Sequence, residues 1–164
     1  MRTLALLLLL APLAASGQDD VDHLIGRPYA GLPGGWAGTG GAVLESALDG
    51  DTYLLSSHEN VHDGSHLFTY ARVDQMIDDR YPVSTVLAAL VVSDVRECEV
   101  ASSFPCTAGR NRPAVVVVAA PTLDEADGVY RYGPVRLAWV LDRAAGRFEP
   151  VGPEAVVCAD KEAY

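Results

Sequence analysis

From Ala42 onward, short apolar-rich runs are broken by turn formers at intervals too close for long helices. "AVLESAL" ends at Asp49-Gly50, "TYLLSSHENV" ends at Asp63-Gly64, and "HLFTYARV" follows. An Asp-Gly pair between extended runs signals a hairpin, because a type I′ turn needs positive φ at both central residues. Two in succession predict a three-stranded antiparallel meander. With Asp63 and Gly64 as a two-residue loop, the expected register sets His62 opposite Ser65, Val61 opposite His66, Glu59 opposite Phe68 and Ser57 opposite Tyr70. "DQMIDDR" is expected to add a helical turn before Tyr81-Pro82 resets the backbone.

The second half is more apolar. "VSTVLAALVVSDV" (83–95) and "AVVVVAA" (114–120) are near-continuous valine-rich runs, the pattern of strands covered on both faces. The first is long enough for a helix entered through Pro82, so it stays open between helix and strand. Between them lies the cysteine-bearing loop "RECEVASSFPCTAGRNRP". "VRLAWVLD" and "RFEPV" flank residues 143–146 as a further hairpin, with Trp139 expected in the core, and "AVVCAD" reads as a last short strand. The expected fold is mainly β, a small antiparallel sheet domain built from hairpins with at most short helices; α+β is the alternative.

The first 41 residues follow another rule. "MRTLALLLLLAPLAASGQDD" runs from one positive charge through an unbroken apolar stretch to small residues and then acid, the order of a secretory signal peptide. The apolar run is shorter than the roughly 20 residues a membrane-spanning helix needs. Residues 1–17 are therefore expected to be removed before Gln18, with cleavage after Ser16 as the alternative, leaving a secreted or periplasmic protein without stable membrane insertion. Residues 18–41, with "GRPYAGLPGGWAGTGG", read as an irregular Gly/Pro-rich lead-in anchored by Tyr29 and Trp36. The glycines follow no strand and lead into no G-K-[ST], so they form no phosphate loop. Residues 42–164 are the single β domain, ample for one core.

The formal charge of -10 becomes -11 once Arg2 is removed, and such a surface repels a phosphate backbone. Nucleic acid is therefore not an expected partner. The chain has three cysteines. In an oxidising compartment two are expected to pair. Cys106 with Cys158 closes the longer loop and ties down the last strand; Cys98 with Cys106 is the alternative. Cys98, between Glu97 and Glu99, has surroundings that disfavour a reactive thiolate.

Candidate chemistry centres on "SSHENVHDGSH". His58, Glu59 and His62 have the H-E-x-x-H spacing that on a helix sets two imidazoles on one face for zinc, with the glutamate as base. His58, His62 and His66 are thus candidate metal ligands and Glu59 a candidate base. On a strand, His58 and His62 stand about 13 Å apart at roughly 3.3 Å per residue, beyond two zinc–nitrogen bonds of about 2 Å. The Asp63-Gly64 turn and the β-forming run after it favour the strand. Neither the metzincin third histidine nor an obvious downstream glutamate follows.

Other constellations are thinner. Arg110 and Arg112 in "GRNRP" offer bidentate donors for an anion. Asp124, Glu125 and Asp127 before Gly128 have a calcium loop's composition without its alternating ligand spacing. No G-x-S-x-G elbow occurs. No residues suggest nucleophile, base and oxyanion donor together, and no cofactor is implied. The reading that follows is a non-enzymatic binding or interaction module whose unknown protein or small-molecule partner meets hairpin tips or the loop from Glu97 to Pro113. The alternatives are a zinc-dependent hydrolase at residues 58–62 and a structural envelope component using the unpaired thiol.

Overall fold

A computed structural model of the chain describes residues 19–29, 35–45, 50–78, 80–93, 99–101, 106–108, 112–119, 121–124, 126, 129–132, 134–158 and 161–162. Helix α1 (Asp19–Asp22) leads into β1 (Pro28–Tyr29), β2 (Trp36–Glu45), β3 (Thr52–Asn60), β4 (His66–Ile77) and β5 (Tyr81–Val92). Then come β6 (Glu99–Ala101), β7 (Cys106–Ala108), β8 (Arg112–Ala119), β9 (Pro121–Asp124) and β10 (Val129–Tyr132). The chain continues with β11 (Leu137–Asp142), β12 (Arg147–Val151), a 3₁₀ turn at Pro153–Ala155, β13 (Val156–Cys158) and β14 (Lys161–Glu162).

The first sheet is antiparallel in the order β1-β5-β4-β3-β2. Residues 83–92, open between helix and strand from their apolar content alone, are strand: β5 pairs along β4 from Tyr81 to Val92. Leu67 and Phe68, successive and so on opposite faces of β4, are both fully buried. That central strand is covered on both sides, which explains its continuous apolar run. On one face Leu67, Ala71, Val86 and Val91 pack with Val21 and Leu24, contributed by α1 and the turn after it, and Trp36 lies partly buried against them. On the other, Leu55, Phe68 and Tyr70 are buried, and the Tyr53 and Tyr70 rings stack 5.3 Å apart.

Within the first sheet, three local expectations differ from the fold. The β3–β4 register is Glu59 opposite His66, Ser57 opposite Phe68 and Leu55 opposite Tyr70. Asn60 N–H donates to Ser65 C=O at 2.8 Å and Gly64 N–H donates to Asn60 C=O at 2.9 Å, so residues 61–64 form the loop. Gly64 has φ of 70°, but Asp63 does not share a positive φ, so a type I′ centre is absent. Asp63 instead accepts hydrogen bonds from the backbone N–H (2.8 Å) and hydroxyl (2.6 Å) of Ser65, an Asx-type turn. The slip is even, so each residue keeps its face.

The other two concern element bounds. β2 begins at Trp36, inside the stretch expected to be irregular, and glycines there pair along β3 with a bulge between Gly38 and Gly40. No helical turn forms at "DQMIDDR": β4 runs on to Ile77, Ile77 faces Tyr81 and Met76 faces Pro82, and the chain reverses at Asp78 with φ of 52°. Cross-strand partners override a weak helical preference.

The second sheet runs β12-β11-β8-β7-β13, with β6 also on β8, and β14-β10-β9 form a third. Cys106, Ala108, Ala119, Ala138 and Val140 make the second cluster. Trp139, between buried Ala138 and Val140, points to the other face and is only partly buried. Gly146, with φ of 60°, turns the β11–β12 hairpin.

Candidate functional site

The histidine hairpin is built by β3, β4 and the glycine-rich start of β2. His58 faces Leu67 on β4 and Gly38 on β2, while Glu59 faces His66, so the two imidazoles leave opposite sides of the sheet. His62 lies in the loop, its backbone N–H donating to the Asn60 side-chain oxygen at 2.9 Å. Its ring rests against Gly35, where an added β-carbon would come within 3.3 Å of Cδ2; Gly35 has φ of 98°. Gly35 is thus a place where a missing side chain makes room for an imidazole, whereas a β-carbon on Gly38 would meet His58 Nδ1 at an ordinary 3.9 Å.

The electrostatics follow from this packing. Both ring nitrogens of His58 are shielded from solvent and have no hydrogen-bond partner among the described residues. Burial alone pushes the His58 imidazole below its ordinary range, since no bond or charge favours the cation. His66 stacks on Phe68 with ring centroids 6.5 Å apart. Burial lowers its value too, opposed more weakly by the Glu59 carboxylate across the strand. The hydrogen bonds from Ser65 hold the Asp63 carboxyl below the usual carboxylate range.

The motif His58-Glu59-x-x-His62 therefore spans a strand end and a loop, with no helical face to stack its imidazoles. Among the described residues no group of three His, Cys, Asp or Glu side chains is arranged to hold an ion. Cys106 and Cys158 face each other between β7 and β13 and are joined by the disulfide. Arg112 opens β8, whereas Arg110, Cys98, Glu125 and Asp127 lie outside the described residues; the stretch from Glu97 to Pro113, expected as a loop, is strand wherever it is described, as β6, β7 and the start of β8. An open groove of about 520 Å³ beside the disulfide is lined by Pro134, Val135, Glu154, Val156 and Val157.

One surface was not singled out by motif reasoning. β3 reaches only to Arg72 on β4, and β1 pairs only with Ser84 and Thr85 on β5. The β4–β5 hairpin therefore continues past its neighbours, among the described residues, as a two-stranded end. There Met76 is 49%, Ile77 45% and Tyr81 65% exposed. At its base Asp74 accepts hydrogen bonds from Thr85 (2.6 Å) and Arg72 (3.1 Å), fastening the two strands. The available signal was the apolar pair Met76-Ile77 directly before Asp78-Asp79-Arg80, at a turn where burial is unexpected.

Among the described residues no helix is long and apolar enough to cross a membrane. Comparison with protein-family models, curated proteins and solved structures found no match to this chain.

Proposed function

We propose that this protein is an exported, non-enzymatic binding domain that engages a protein partner through the end of the β4–β5 hairpin. The observation that carries the reading is the grouping of Met76, Ile77 and Tyr81 there. Single exposed apolar side chains are ordinary on soluble proteins, but several gathered at one hairpin end mark a candidate contact surface. Ile77 and Tyr81 are direct cross-strand partners, and Met76 pairs with Pro82 on the other face of the ribbon, so apolar groups are offered on both sides. Tyrosine and methionine are enriched at such contacts, where large side chains lose water on binding. Export is supported by the apolar amino-terminal run and by the Cys106–Cys158 bond, which persists in an oxidising compartment.

The test is site-specific photocrosslinking in the native host. A photoreactive phenylalanine analogue at position 81 is expected to give a discrete adduct that disappears with M76S/I77S. The same analogue at Ala144, on the exposed β11–β12 turn, is expected to give none. Equal labelling from both positions, or none from position 81, overturns the reading. Amino-terminal sequencing of the native protein is expected to begin at Gln18 or Gly17.

A further inference from the structure

β2 is the outermost strand of the first sheet, and its outer side has no strand partner among the described residues. Ala37, Gly38, Thr39, Gly40 and Gly41 are all exposed, and for a glycine that exposure is exposure of the backbone itself. Long edge strands are normally guarded by charge, proline or a bulge. Here the bulge between Gly38 and Gly40 guards only the first half, pinned by the Thr39 hydroxyl donating to Ser57 Oγ at 3.1 Å. From Gly41 to Leu44 no charge or proline occurs, and Val43 is 63% exposed.

The direction of the free backbone groups follows from the ladder. Asn60 bonds across to Ser65, so Asn60, His58, Ser56 and Leu54 direct their N–H and C=O groups to β4, and the residues between them direct theirs to β2. Their partners Ala42 and Leu44 are satisfied by β3. Gly41, Val43 and Glu45, opposite Ser56, Leu54 and Thr52, turn theirs outward.

We propose that this free edge pairs with the same edge of a second copy of the chain, as a twofold antiparallel strand pair centred on Val43. The register is self-complementary. Val43 meets its equivalent on the axis with both backbone bonds exchanged, and Gly41 of one copy stands opposite Glu45 of the other, so the two glutamates do not oppose each other. An isologous pairing needs only this one surface, and it shields the exposed valine. The strongly negative net charge of each copy opposes association and is screened by salt, so the dimer tightens as ionic strength rises.

The experiment is sedimentation velocity of the purified protein across a concentration series at low and high salt. Doubling of the sedimenting mass with concentration, favoured by salt, is expected for the wild type and for V43T. V43K, which sets like charges together on the axis, is expected to stay monomeric with an unchanged circular dichroism spectrum. Should V43K not fold, amide exchange of the wild type decides, with the Gly41 and Val43 amides slowing as concentration rises. A wild type monomeric at every concentration and salt overturns the proposal. So does equal association of folded V43K, or edge amides protected only when another protein is added.

Discussion

Glu59 and His66 stand directly opposite each other across the β3–β4 hairpin, while His58, one residue earlier, faces Leu67 on the reverse side of the sheet. Strand geometry thus divides a histidine-rich segment that a helix would have gathered. It gives the imidazoles separate surroundings: His58 against glycine and leucine, His66 against phenylalanine and a carboxylate.

Acid sensitivity follows from these surroundings. His58 and His66 both titrate below the ordinary imidazole value of 6.5 in the folded chain, because burial disfavours their cations. On acidification the unfolded chain takes up protons first. The stability held by the neutral rings is therefore fully present above about pH 6.5 and is lost as pH falls through the unfolded and then the folded values. Urea unfolding monitored by circular dichroism is expected to show a midpoint that declines below that pH. H58L is expected to flatten the decline more than H66Q, since Glu59 assists only the His66 cation. Asp63 and Asp74, both lowered by hydrogen bonds, lose their contribution in a separate, more acidic window.

The glycines of β2 are expected to differ in tolerance. A β-carbon on Gly41 would lie 2.8 Å from the Leu55 carbonyl oxygen, a backbone atom that cannot swing aside. On Gly38 its nearest neighbour is His58 Nδ1 at 3.9 Å, an ordinary contact. G41A is therefore expected to cost about 1–3 kcal/mol, as overpacking does, and G38A well under that. Equilibrium denaturation of the two variants measures the contrast.

The Cys106–Cys158 bond joins residues 52 apart and fastens β13, which pairs only with β7 among the described strands. C106S/C158S is expected to lose about 2–5 kcal/mol. Amide exchange should show the residues of β13 exposed first, because a short terminal strand frays once untied. Retention of β13 protection would place its stability elsewhere.

Much of this architecture was legible in residue patterns. Asp63-Gly64 marked the hairpin, valine content marked β8, and the position of Cys158 near the chain end favoured its bridge to Cys106. Register was not legible, because Asp63 caps Ser65 through its carboxylate and lengthens the loop, a choice between two local hydrogen-bonding schemes that the dipeptide does not reveal. The extent of β4 was hidden for a related reason: "DQMIDDR" becomes strand only because Tyr81 and Pro82 return alongside it. Of the candidate site, the hairpin location of the histidines could be read, but the surroundings of the His58 ring, between Leu67 on one side and Gly38 on the other, depend on a strand twenty residues earlier. The exposed group at Met76, Ile77 and Tyr81 has no motif at all, since it arises from how far one hairpin outruns its neighbours.

Extended backbone through the histidine segment is the premise on which the site description rests, and nuclear Overhauser contacts between backbone protons test it most directly. Cross-strand α-proton contacts between Glu59 and His66, and between Ser57 and Phe68, are expected. Contacts from Glu59 to Phe68 instead, or the sequential amide pattern of a helix from Thr52 to His62, would contradict the account.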